Sequence, residues 1–254
     1  MTMTETTCVL CDGTGWKIVE RAGLSGAERC VCHAATRTRD LKESANIPPN
    51  YLQASLDNFQ MPADNPVARQ GLGTVLMQVR SFTREFPAAA RPGLLLIGEP
   101  GTGKTHLAVA AMRTLLDKGH ECLFFDYQNL LDRIRSGYDA ASGAADREAY
   151  RAALDVEVLL LDDLGAHRGT DWVEDTVTAI ITHRCNQKKP LIATTNLTDD
   201  DRGKDFTMPG GEKKSIRERT LGEMIGTRAR SRLHEMCRVV HMPAVEDYRI
   251  KRAR

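Results

Sequence analysis

No apolar run in the chain approaches the ~18 residues that a membrane-crossing helix needs. The opening stretch, Met1-Thr2-Met3-Thr4-Glu5, has none of the charged-then-apolar pattern of a secretory signal. A soluble, cytoplasmic protein with no membrane partner is therefore expected. Global charge is missing as well. Lys and Arg number 35 against 34 Asp and Glu, a net +1, so no class of partner follows from charge alone. The balance is local: from Arg202 to Arg254, 14 basic residues face 7 acidic ones, a surplus that fits a solvated face or a nucleic-acid contact. At 254 residues the chain has room for one α/β domain and a small accessory domain.

Cysteine is present and unevenly placed. Of 7 cysteines, four fall at Cys8, Cys11, Cys30 and Cys32. Cys8-Val9-Leu10-Cys11 is a C-x₂-C knuckle followed by Gly13 and Gly15, which permit a tight turn under a metal; Cys30-Val31-Cys32 closes the site. Four thiolates at this spacing fit a structural zinc ion rather than disulfides, with His33 as an alternative to Cys32 for the fourth ligand. A segment so poor in apolar residues would draw most of its folding free energy from the metal.

The stretch that organises the rest is Gly98-Glu99-Pro100-Gly101-Thr102-Gly103-Lys104-Thr105. It follows the apolar run Leu94–Ile97, a buried strand, and precedes a helix from His106. Strand, glycine-rich loop and Lys-Thr at a helix start make a phosphate-binding loop: backbone N–H groups and the helix N-terminus hold a di- or triphosphate. Lys104 follows the β- and γ-phosphates, and the Thr105 hydroxyl is placed for Mg²⁺. A second apolar run, Val156–Leu161, ends in Asp162-Asp163. Asp162 would hold Mg²⁺ and Asp163 would orient an attacking water. A third strand, Leu191–Thr195, ends at Asn196, a candidate sensor of the γ-phosphate. ATP, Mg²⁺ and zinc are the cofactors expected.

Spacing predicts further helices over 67–86, 127–134, 147–154, 170–185 and 215–236, and strands over 122–125 and 237–242. Loops are expected over 139–146 and, as a mobile segment, 199–214. The expected divisions are a zinc-binding domain (1–46) ending in a charged segment (34–46) that reads as a short helix broken by Pro48-Pro49, a linker (47–66), and an ATPase domain (67–254).

The order of phosphate loop, Asp-Asp strand tip, Thr-Thr-Asn strand tip and a late Ser231-Arg232-Leu233 resembles an AAA+ ATPase. Gly98–Ala108, Leu159–Gly165, Thr227–Met236 and the closing Asp247-Tyr248-Arg249 resemble the DnaC/DnaI helicase loaders and their IstB-like transposition relatives. That resemblance implies an α/β fold, a parallel sheet sandwiched by helices, without a full lid domain. It also implies that Arg232 reaches a neighbouring subunit's nucleotide, that Arg249 is a second sensor and that Arg228 supports either. Single-stranded DNA would be gripped within 127–154, with Arg133, Arg135, Arg147 and Arg151 as candidates. The implied function is an ATPase, slow and partner- or DNA-stimulated, that self-assembles on DNA and loads a hexameric DnaB-type replicative helicase docked on the zinc-bearing domain. The alternatives are a transposition helper on duplex DNA and a stand-alone metabolic kinase, against which the arginine-rich Thr227–Leu233 box argues.

Overall fold

A computed structural model describes residues 8–12, 14–21, 24–137, 144–167, 169–199, 204–207, 213–216 and 219–252. Two short strands, β1 (Trp16–Arg21) and β2 (Leu24–Arg29), pair antiparallel and lead into helix α1 (Val31–Ser44). A 3-10 turn at Pro49–Tyr51 follows, since Pro48 and Pro49 forbid a longer helix.

The main body begins with α2 (Pro66–Glu85) and β3 (Gly93–Ile97). Next come α3 (Lys104–Asp117), β4 (Cys122–Asp126), α4 (Tyr127–Ser136), α5 (Ala144–Asp155) and β5 (Val158–Asp162). The chain continues through α6 (Asp171–Asn186), β6 (Leu191–Thr195), a hairpin of β7 (Lys204–Thr207) and β8 (Lys213–Ile216), and α7 (Leu221–Ile225). It closes with α8 (Thr227–Met236), β9 (Cys237–His241) and α9 (Tyr248–Arg252).

Five strands form one parallel sheet in the order β4-β5-β6-β3-β9. Every residue of β3 and β6 is buried, so these strands read as unbroken apolar runs rather than alternating ones. One face packs Phe82, Leu107, Met112 and Leu115 from α2 and α3; the other packs Leu130, Ile134, Val177, Ile181 and Leu233 from α4, α6 and α8. Because β3 lies between β6 and β9, the loops leaving β3, β5 and β6 open at the same carboxyl edge, where parallel sheets place their ligands. Among the described residues no helix is long and apolar enough to cross a membrane.

Local signals account for most element starts. Side chains of Asn65, Asp126 and Thr170 accept from the N–H groups of Ala68, Asn129 and Val173, capping α2, α4 and α6. Three expectations need correction. The helix expected over 215–236 is a strand residue pair followed by two helices, because Gly226 turns at φ 86° and a Cβ there would meet the Glu174 carboxyl. The 199–214 loop contains the β7–β8 hairpin, and 200–203 and 208–212 lie outside the described residues. The short helix expected from Arg147 already begins at Ala144, while 138–143 lie outside the described residues.

Nothing in the pattern announced Arg184. It is completely buried on α6, and its guanidinium donates to the carbonyls of Ala153, Val156, Glu157 and Pro190 at 2.6–3.0 Å, with a longer contact to Leu154. These carbonyls lie at the end of α5, around the start of β5 and just before β6. Leu154 O and Pro190 O also accept from Lys189 Nζ and the Leu159 N–H, and Arg184 serves the rest in a site that cannot leave them unpaired. Burial pulls its pKa down to about 10.

Candidate nucleotide site

The loop after β3 runs from Gly98 to Gly103 and delivers Lys104 to the first turn of α3. Gly101 and Gly103 adopt φ 73° and 93°, a backbone that L side chains rarely take. Space forbids a side chain too: a Cβ on Gly103 would lie 2.6 Å from the Phe59 ring. The Glu99 carbonyl accepts from Lys104 Nζ and Thr102 Oγ1, both at 2.8 Å, so the loop is held closed by its own side chains. Lys104 is 6 % exposed. Burial pushes its ammonium below the ordinary lysine value, against the pull of Asp163 and Asp162.

Opposite the loop stand the tips of β5 and β6. Thr194 joins them: its Oγ1 donates to Asp162 Oδ1 at 2.7 Å and accepts from the Asp163 N–H at 2.9 Å. Asp163 sits at φ 59°, a left-handed conformation that Asp tolerates, and Asn196 Nδ2 donates to its Oδ1 at 2.5 Å. Both carboxyls are pushed up by burial. Hydrogen bonds from Thr194 and Thr105 oppose this at Asp162, and the Lys104 charge opposes it at Asp163. A threonine hydroxyl bonded to a half-buried carboxylate beside a lysine fits a shared divalent cation.

These groups line one cavity of about 1290 Å³. Pro100 to His106, Asp126, Asp162, Asp163, Thr194 and Asn196 form its floor. Gly98 and Glu99 lie behind the loop: Gly98 packs on Met242, and Glu99 serves through its carbonyl. The segment expected as a linker is a wall. Phe59 lies 5.6 Å from the His106 ring, whose Nε2 is 3.0 Å from the Ser55 carbonyl, and Arg113 donates to the Ala54 carbonyl at 2.6 Å. The facing wall is the C-terminal segment. Tyr248 donates its N–H to Gly101 O at 3.2 Å and its hydroxyl to Gln60 Oε1 at 2.7 Å, and Arg249 lines the cavity near Lys104 and Asp163. Phe59, Asp126 and Thr194 were not singled out from the sequence. Only Thr194 carried a signal, a hydroxyl inside an apolar strand.

Arg232 stands apart from this cavity. It lies half-exposed on α8, with Nη1 2.6 Å from Glu235 Oε2, and Arg228 is exposed one turn earlier. Of the arginines around α4 and α5, Arg133 sits over the Phe125 ring at 5.7 Å, Arg135 and Arg151 are exposed, and the Arg147 side chain lies outside the described residues.

The four N-terminal cysteines come together, with all their sulfurs within 4.8 Å of one another. Cys8–Cys30 and Cys11–Cys32 are 3.8 and 3.3 Å apart. Four thiolates held at ~2.3 Å by a tetrahedral ion lie about 3.8 Å apart, so the donor set fits a metal. Burial raises the Cys11 thiol, but hydrogen bonds from Cys32 and the Gly15 N–H outweigh it and bring it down to about 7. The His33 side chain, the alternative ligand, lies outside the described residues.

Residues 76–208 match the family of IstB-like ATP binding proteins. The chain is 25 % identical over 218 residues to the Bacillus subtilis protein YqaM, covering 84 % of this chain and 61 % of that one. It is 28 % identical over 192 residues to the replicative helicase loader DnaI of Bacillus subtilis, covering 74 % and 59 %. Among solved structures, the crystal structure of the DnaC helicase loader superposes with TM-score 0.59 at 29 % identity, covering 77 % of this chain and all of that one. The chain thus spans 61 % and 59 % of the two full-length relatives.

Proposed function

The chain belongs to the IstB-like ATP-binding family, and on that premise we propose that it is an ATP-hydrolysing loader of a hexameric replicative helicase. The observation that carries this reading is the core's likeness to a helicase loader's over that chain's whole length, joined here to a metal-ready cysteine cluster. Lys104 neutralises the β- and γ-phosphates of ATP, the exposed N–H groups of the loop and of α3 orient them, and the walls at Phe59 and Tyr248 flank the rest of the nucleotide. Thr105 and Asp162 would hold Mg²⁺, which would supply neutralisation of the phosphate charge. Asp163, fixed by Asn196, accepts the proton of the attacking water. Arg249 bears on the site from its own chain, and Arg232 from a neighbouring one. A planar, permanently charged fork suits both tasks.

Zinc is the metal we assign to Cys8, Cys11, Cys30 and Cys32, since four thiolates in a closed tetrahedron suit it. The 1–46 segment is the helicase-docking domain, and Arg133, Arg135 and Arg151 are phosphate contacts to single-stranded DNA. The family match favours a second reading, a transposition helper that assembles on duplex DNA.

Capture of a purified hexameric replicative helicase by the full chain, with ATP, decides between them. Capture that disappears when residues 1–46 are removed is the expected result. No capture, alongside ATP-dependent filaments on duplex DNA, gives the protein to the second reading.

A further inference from the structure

Three residues beyond Asn196, Asp199 leaves the tip of β6 and turns inward. Its side chain is 11 % exposed, and it meets two residues of α8. Arg230 Nε donates to Asp199 Oδ1 at 2.5 Å, and Arg230 Nη2 donates to the Asp199 carbonyl at 2.7 Å. His234 Nε2 lies 2.7 Å from Asp199 Oδ2. Arg230 thus hydrogen-bonds both the carboxylate and the backbone of Asp199, while His234, one turn later on the same face, lies against Oδ2 without an aligned hydrogen bond. Those residues alternate with Arg228 and Arg232, so the helix that Asp199 grips is the helix that carries the exposed arginines.

The connection back to the cavity is short and bonded at each step. Asn196 donates to Asp163. Leu197 donates its N–H to Thr195 Oγ1 at 3.1 Å, Thr198 bridges to Thr220, and its carbonyl accepts from the Leu221 N–H at 2.9 Å. Gly222 on α7 has only 3.2 Å between an ideal Cβ and Arg230 Cδ, so α7 packs directly on the clamp. These contacts join the Asn196 tip to α7 and α8.

We propose that Asp199 is a positioning residue that couples the Asn196 tip to the α8 arginines, so that occupancy of one copy's nucleotide site sets where its arginines point toward a neighbour's. This rests on the reading of Arg232 as a residue that acts in a neighbouring copy. Coupling of this kind is energetic, and a mutant cycle measures it directly.

The experiment measures steady-state ATP turnover of the full chain against protein concentration, with ATP affinity measured separately, for Asp199→Ala, Arg232→Ala and the double variant. Asp199→Asn, which keeps the volume and one acceptor, is run beside them in case the alanine variant does not fold. The expected result is a fall in kcat of about tenfold for Asp199→Ala, within the span of remote coupling residues. KM and ATP affinity stay unchanged, and the double variant is no slower than Arg232→Ala alone. Multiplying losses in the double variant, or a loss of ATP affinity in Asp199→Ala, overturn the coupling. A full-rate Arg232→Ala chain overturns both the neighbour-acting arginine and the clamp. A slow Arg232→Ala chain beside a full-rate Asp199→Ala overturns the clamp alone.

Discussion

The nucleotide cavity and the cysteine cluster are both sites built for a ligand, and they are folded by opposite means. Around the cavity, Leu94–Leu96, Leu107, Leu159–Leu161 and Leu191–Ala193 are all fully or almost fully buried, so the strands that carry Lys104, Asp162 and Asn196 stand without help from any ligand. Around the cysteines the large apolar side chains face outward: Val9 is 94 % exposed, Ile18 84 % and Leu24 77 %, while the buried members are Cys11 and Cys30 themselves. With no apolar interior among the described residues to hold the hairpin, the metal proposed for the four cysteines would do so. On the proposed reading a ligand is thus a client of the first site and a structural component of the second.

The sharpest break in that comparison comes from removing the metal. Chelation, or Cys11→Ser with Cys30→Ser, is expected to melt the N-terminal hairpin and leave the main transition intact. Structural zinc sites carry on the order of 10–16 kcal/mol of apparent binding free energy, which dwarfs what this hairpin buries. Hydrogen exchange resolves the two regions. Loss of protection along α3 on chelation would show that the cavity depends on the cysteines after all.

Arg184→Ala attacks the other side of the comparison. Removing the guanidinium from the carbonyls of Ala153, Val156 and Glu157, which no other side chain among the described residues serves, and leaving a void should cost the main body about 3–5 kcal/mol, seen as a lower denaturation midpoint with metal content unchanged. Lys104→Ala separates ligand from fold within the cavity. It should remove about 1.5–3 kcal/mol of ATP affinity by titration while shifting melting of the nucleotide-free chain by less than about 1 kcal/mol. A large loss of stability there would mean that the loop, unlike the strands, is folded around its lysine.

The mildest prediction is a pH effect. Burial holds the Asp162 and Asp163 carboxyls above the ordinary carboxylate value, so protons are retained to higher pH than in the unfolded chain. A cation needs the deprotonated form. Affinity for MgATP should therefore weaken as pH falls through the window just above the usual carboxylate range, and stability of the nucleotide-free chain should rise over the same fall. Asp162→Asn removes that ionisation and should flatten the affinity profile; an unchanged slope would place the titration elsewhere.

What was legible in the chain was whatever depends on neighbours in sequence. The loop from Gly98 to Thr105 needs two left-handed glycines and a helix start, Asp162 and Asn196 need only to end apolar strands, and Cys8, Cys11, Cys30 and Cys32 need only their spacing. Each of these requirements is met within a handful of residues, so the pattern carries it. Tertiary structure decided the rest. That Asn50, Tyr51 and 58–65 line the cavity, that Phe59 covers Gly103, that Tyr248 reaches Gln60, and that Arg184 serves the carbonyls ending α5 are contacts across tens or hundreds of positions. The Asp199 clamp on α8 belongs with them. A polar side chain reveals its role only when the fold has buried it and left it one set of partners, and no local pattern records which partners those are.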